Sequence, residues 1–79
     1  MINNLNEIQK INTERVKKTI EMLFLTTKKE SLDQEEIIKE CEKNDLNEKE
    51  VQESLKFLCN EKFVKDIGHF VYVLIKAEE

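Results

Sequence analysis

The stretch VQESLKFLCNEKFVKDIGHFVYVLI, residues 51–75, decides the fold because its apolar spacing changes partway along. Val51, Leu55 and Leu58 recur every three or four positions, as on one face of a helix. After Lys62 the helical spacing stops, and two short runs rich in aromatic and β-branched residues follow, with a turn containing Gly68 between them. The stretch therefore predicts a helix followed by a β-hairpin, with strands at 63–64 and 70–75.

Two capping patterns predict where the helices before the hairpin begin. Asn47 and Glu50 form a capping box for the third helix. Asp33 and Glu36 have the same spacing, so we expect the second helix to start at Gln34. We expect its inner stripe to be Ile37, Ile38 and Cys41. Residues 44–45 are expected to end the second helix, and Asn60 to end the third in a left-handed conformation.

The first helix is predicted from Thr13 to about Thr27. Its inner positions follow helical spacing and are Val16, Ile20, Leu23, Phe24 and Thr27. Residues 1–12 carry Leu5, Ile8 and Ile11, a spacing that fits either an extension of this helix or an arm lying on the domain. We therefore divide the chain into residues 1–12, an arm or helix extension, and the domain proper, residues 13–79.

An isolated apolar residue between the first two helices, Leu32, predicts a third, very short strand. The resulting order is helix, short strand, helix, helix, strand, strand, and the second and third helices are close enough for a helix-turn-helix. The predicted fold is α+β: a small winged helix with three helices and a C-terminal β-hairpin wing.

Composition excludes several classes of function. The longest apolar runs, residues 22–25 and 70–75, are far shorter than the roughly 20 residues that cross a bilayer. The first residues lack the features of a secretory signal, so we expect the cytosol or the nucleus. The two cysteines and the single histidine cannot complete a zinc site, and no catalytic motif or phosphate loop is present. We expect no metal, no cofactor and no enzymatic activity.

The cysteines, Cys41 and Cys59, each fall in the apolar stripe of a predicted helix. A free thiol behaves there as a small apolar side chain, so we interpret both as reduced residues of the core. A structural disulfide between them is the alternative. His69 is expected at the surface of the wing tip.

Residues 51–64, closing at 68–70, resemble the end of the C-terminal winged helix of the middle subunit of replication protein A, and the Phe-Leu-x-Asn-Glu run of residues 57–61 is the most specific part. Residues 51–75 are also similar to the C-terminal winged helix of eukaryotic minichromosome-maintenance helicase subunits. Either resemblance implies recruitment of replication and repair proteins, through a basic amphipathic partner helix on an acidic surface beside the wing. Glu61 stands where the family has a glutamate, whereas Lys65 replaces an aromatic residue.

Charge placement on the third helix favours a protein partner. The chain has a formal net charge of −4, which opposes phosphate. Helical spacing groups acidic residues around one aromatic ring, away from the apolar stripe. With one acidic residue of the wing added, the predicted partner-binding residues are Glu50, Glu53, Phe57, Glu61 and Asp66. Packing of Phe57 under the wing or against the first helix is the alternative for that ring.

Two other hypotheses remain open. The first is a small DNA-binding transcription regulator, dimeric, with the third helix in the major groove and weak phosphate contacts from basic residues. The second is a structural subunit, because the last strand is apolar on both faces: Phe70, Tyr72 and Leu74 on one, Val71, Val73 and Ile75 on the other. Residues 1–12, a second copy in a homodimer through this strand, or a partner would cover the second face.

Overall fold

The elements follow the predicted order along the chain. A computed structural model describes residues 7–75. Its elements are α1 (Glu7–Thr27), β1 (Leu32–Asp33), α2 (Gln34–Glu42), α3 (Glu48–Asn60), β2 (Val64–Asp66) and β3 (Val71–Leu74). The strands form one antiparallel sheet with β3 between β1 and β2. The predicted α+β class, three helices with a small winged-helix-like sheet, is confirmed.

The core lies between the helices and one face of the sheet. Leu32 is opposite Tyr72, and Val64 is opposite Leu74. Helix α1 packs against both α2 and α3, and α3 also packs against β2. The buried apolar side chains come from every element and are Val16, Ile20, Leu32, Ile37, Ile38, Cys41, Leu46, Val51, Leu55, Leu58, Val64 and Tyr72. The predicted stripes of α2 and α3 are therefore confirmed as core.

Helix α1 is longer than predicted, because it starts before Thr13. It begins at Glu7, so residues 7–12 extend the helix, while residues 1–6 lie outside the described residues. At the other end, Thr27 is exposed, so its predicted place in the inner stripe is wrong. Its hydroxyl instead donates a hydrogen bond to the carbonyl of Leu23 at 2.7 Å, within the last turn of the helix.

Helix α2 begins at Gln34 with Asp33 at its N-cap, as predicted, but the predicted capping box is wrong. The side chain of Asp33 makes no capping hydrogen bond, and its backbone pairs with Val71 in the sheet. The amide of Gln34 instead donates to the carbonyl of Phe70 at 2.8 Å. The carboxylate of Glu36 accepts from Lys29 Nζ at 2.5 Å. The start of α2 is therefore stabilised by a backbone hydrogen bond to the wing and not by a side-chain cap.

Helix α3 has the predicted capping box. Asn47 Oδ1 accepts from the Glu50 amide at 2.8 Å, and Glu50 Oε1 accepts from the Asn47 amide at 2.9 Å. The predicted left-handed end at Asn60 is wrong, because Asn60 is helical and Lys62 has φ 64°. The amide of Phe63 then donates to the carbonyl of Leu58 at 2.9 Å, which is the Schellman pattern of a helix end.

The wing turn is longer than predicted at its C-terminal side. Phe70 has φ 58° and belongs to the turn, so its predicted place in the last strand is wrong. Gly68, at φ 104°, supplies a backbone conformation that other residues rarely adopt, and its amide donates to Asp66 Oδ1 at 2.8 Å. The side chain of Phe70 is 67% exposed as a result.

Candidate functional site

Three of the five predicted partner-binding residues lie on helix α3, and a fourth, Glu61, lies at its C-cap. At about 100° per residue, Glu50, Glu53, Phe57 and Glu61 fall on the same side of the helix. We call these residues the α3 flank. The first three are half-buried, and Glu61, at the C-cap, is exposed. The structure thus brings these residues into one row, at the border between the buried stripe and solvent.

The carboxylates of the α3 flank are not equivalent. Glu50 is engaged in the capping box with the amide of Asn47. Among residues 7–75, Glu53 and Glu61 make no side-chain hydrogen bond or ion pair. The negative charge that a ligand can use is therefore carried mainly by Glu53 and Glu61.

Phe57 lies between those two carboxylates along the helix. It is half-buried. Within the described part of the chain, the half-buried apolar side chains that pack on the core are Leu23, Phe24, Cys59, Phe63 and Leu74. Phe57 is outside this set, so its ring borders the surface of the α3 flank instead of completing the core.

A cleft beside Glu61 joins the α3 flank to helix α1. It has a volume of about 250 Å³ and is lined by Lys10, Thr13, Glu14, Lys17 and Glu61. Lys17 Nζ also lies 5.1 Å from the centroid of the Phe63 ring, a cation–π distance. This end of the α3 flank is thus of mixed charge, which sequence reasoning missed because helix spacing does not give the position of one helix on another.

Asp66 lies apart from the other four predicted residues. Its carboxylate accepts from the Gly68 amide within the wing turn. It also lies close to Cys59, whose thiol pKa is raised by burial first and by the charge of Asp66 second. On α3, Cys59 is about 160° around the helix from Phe57. The structure therefore does not bring Asp66 to the α3 flank.

The most exposed row of helix α3 carries a different chemistry. Lys49, Gln52, Lys56 and Asn60 are all exposed and follow helical spacing on the side opposite the buried stripe. We call them the α3 crest. Its net charge is positive, and its amides can donate and accept hydrogen bonds. Projection of the sequence on a helix could have identified this row, but the acidic residues beside it drew the prediction to the flank.

Burial raises the pKa of both thiols, which favours the protonated and less nucleophilic form. Both cysteines are free. Cys41 is fully buried, and burial raises the pKa of its thiol above the ordinary value of 9.0.

Among residues 7–75, no group of three or more His, Cys, Asp and Glu side chains could hold a metal ion. His69 is exposed at the wing tip, in a shallow cleft with Phe70 and the start of α2.

The apolar strand β3 has both of its edges occupied. Residues 71–72 pair with β1, and residues 72–74 pair with β2. Its inner side chains pack on the core, whereas Val71 and Val73 on the outer face are half-buried. Within the described residues, a second copy could extend the sheet only at β1 or β2. No helix in residues 7–75 has the length and apolar content needed to span a membrane.

Comparison with known proteins does not assign the chain to a family. No protein family, curated protein or solved structure matches the chain. The resemblance of residues 51–75 to the winged helices of replication protein A and minichromosome-maintenance subunits therefore stays a prediction. The partner that it implies stays one as well.

Proposed function

We propose that this domain is a non-catalytic recruitment module whose α3 flank receives a basic amphipathic segment of a partner protein. The observation that carries the proposal is Phe57, a half-buried aromatic ring outside the core, with the unpaired carboxylates of Glu53 and Glu61 on either side. An amphipathic helix would place an apolar side chain against the ring and Lys or Arg beside the carboxylates. Protein interfaces are enriched in aromatic side chains at the centre and have polar residues at the rim.

Charge supports this class of partner. The net charge of −4 favours encounter with a cationic protein segment and disfavours a polyanion. Lys10 and Lys17 of the adjoining cleft lie near Glu61, so we expect the stronger of the two basic contacts at Glu53. The resemblance described above supports a setting in DNA replication or repair. The two free thiols fit a reducing compartment, the nucleus or the cytoplasm.

Calorimetry with a synthetic amphipathic peptide tests the proposal. The probe is a helical peptide with leucine on one face and lysine on the other. We expect Glu53→Lys and Phe57→Ala each to weaken binding about 10-fold or more, because a charge pair or an aromatic anchor is lost. Glu42→Lys makes the same charge change at an exposed position at the end of α2, and it should leave the affinity within about 2-fold.

The control decides the interpretation. If Glu42→Lys weakens binding as much as Glu53→Lys, the peptide is attracted by net charge alone, and the α3 flank is not the binding surface. Thermal unfolding of each variant shows whether the fold is intact. Phe57→Leu keeps an apolar side chain and provides a second measurement if Phe57→Ala unfolds.

A second candidate function is DNA binding through the α3 crest. Lys49 and Lys56 are placed to contact phosphates, and Gln52 and Asn60 are residue types that pair with adenine in the major groove. This surface would serve a small, dimeric transcription regulator. Titration of a labelled duplex at low salt tests it, since Lys56→Glu should abolish any binding whereas Glu53→Lys should strengthen it.

A further inference from the structure

Helix α1 has a second face with regular residue spacing, besides the face that packs in the core. Its buried residues are Thr13, Val16, Thr19 and Ile20. On the other side, exposed residues alternate at spacings of three and four: Ile8, Ile11, Arg15, Lys18, Met22 and Leu25. We call this row the α1 seam. A sustained spacing of this kind corresponds to the a and d positions of a heptad repeat, along which helices pair.

The apolar residues of the α1 seam are well exposed. Ile8 is 67%, Ile11 57%, Met22 43% and Leu25 75% exposed. Scattered exposed apolar residues are ordinary on a protein surface, but these four lie on one helix face as two exposed apolar pairs. The seam extends about 26 Å along the helix at 1.5 Å per residue. That length suits one partner helix of similar size.

The centre of the α1 seam is basic. Arg15 and Lys18 separate an apolar pair at each end. A second copy in parallel orientation would place Arg15 against Arg15 and Lys18 against Lys18. In antiparallel orientation it would place Arg15 against Lys18. Both arrangements bring like charges together at a partly desolvated contact, so self-pairing is disfavoured.

Arg15 contacts the turn that follows α2. Its Nη2 donates to the carbonyl of Asn44 at 2.8 Å, in an exposed hydrogen bond. The guanidinium has further N–H groups that can donate to a carboxylate of a partner. Lys18, one turn further along, is exposed.

One edge of the α1 seam is acidic. Glu7, Glu14 and Glu21 are exposed and recur every seven residues beside the seam, at the g positions of the same heptad. Residues at this position contact charged residues at the edge of a paired helix. The edge therefore requires Lys or Arg on the partner, and the centre requires Asp or Glu.

We propose that the α1 seam docks an amphipathic helix of another protein, with apolar residues at both ends of its contact, acidic residues opposite Arg15 and Lys18, and basic residues along one edge. This helix differs from the segment proposed for the α3 flank, since its central contact is acidic. The two surfaces share no residue, so failure of one proposal leaves the other intact.

Two synthetic helical peptides test this docking. Both carry leucine at the end positions of the heptad and lysine along the edge. One has glutamate at the two central positions, and the other has lysine there. We expect the glutamate peptide to bind the full chain at least about 10-fold more tightly, and Lys18→Glu to abolish or reverse that preference. Ile11→Asp should remove binding, whereas Lys49→Glu on the α3 crest should not change it.

Three results of these experiments would contradict the docking proposal. Equal affinity for the two peptides, or no binding by either, would overturn the proposal. Sedimentation equilibrium that shows a wild-type dimer lost in Ile11→Asp would also overturn it, because the occupant would then be a second copy. Met22→Glu, at another exposed position, provides a second variant if Ile11→Asp does not fold.

Discussion

At the residue scale, the two helix starts after α1 show how similar capping patterns lead to different contacts. Asn47 caps α3 with its own side chain. Asp33 has the same spacing to a glutamate and occupies the N-cap of α2, but its side chain makes no capping hydrogen bond, and the carbonyl of Phe70 accepts from the first helical amide, Gln34. The pattern is local, whereas the pairing of Asp33 with Val71 depends on a residue far along the chain. Sequence alone could therefore predict the first cap but not the loss of the second.

Asn47→Ala and Asp33→Ala test this difference. We expect Asn47→Ala to lower the free energy of unfolding by about 1 kcal/mol, because it removes a capping side chain. Asp33→Ala should cost less, about 0.5 kcal/mol, since only a favourable charge near the helix start is lost. Urea denaturation of both variants measures the two values. Equal losses would mean that Asp33 acts as a cap in solution.

The buried thiol of Cys41 predicts alkaline sensitivity. Burial raises its pKa, so the folded state favours the protonated thiol more than the unfolded state does. The resulting stability is complete below the ordinary value of 9.0 and decreases as the pH rises above it. We expect the free energy of unfolding to fall above pH 9, and less steeply in Cys41→Ala. Denaturation across this pH range is the measurement, and equal slopes for the two proteins would contradict it.

At the element scale, the sequence located the ends of α1 at Thr27 and of α2 near Asp45, but not the left-handed residue that ends α3. The chain has one glycine and no proline, and left-handed lysines follow two of its helices, at Lys28 and Lys62. Lysine has no local preference for this conformation, so no sequence signal identifies it. At α3 the conformation is held by the hydrogen bond from Phe63 to Leu58. Asn60, the better left-handed residue, remains one step inside the helix.

A pair of glycine substitutions tests the end of α3. Lys62→Gly should stabilise the fold by about 0.5–1 kcal/mol, because glycine adopts a positive φ without a steric cost. Asn60→Gly should destabilise the fold by roughly a few tenths of a kcal/mol or more, because glycine lowers the stability of a helix interior. Thermal unfolding compares the two. Stabilisation by Asn60→Gly instead would place the helix end where the sequence pattern put it.

At the scale of the whole molecule, helical spacing predicted the core and the α+β class, since period and burial are directly related. Helical spacing could predict only part of the candidate site. Four of its residues lie on α3 or at its C-cap, so spacing could group them, whereas Asp66 required the path of the wing. The mixed cleft beside Glu61 required the packing of α1 on α3. Contacts between elements therefore limit what a single sequence reveals about a surface.

We propose that the whole domain binds a protein segment through the α3 flank and does not read DNA through the α3 crest. NMR titration of the labelled domain, with the basic amphipathic peptide and then with generic duplex DNA at low salt, tests it most directly. We expect the peptide to shift the amides around Glu53 and Phe57 and DNA to shift none. Salt-dependent shifts with DNA at Lys49 and Lys56, without shifts from the peptide, would contradict it.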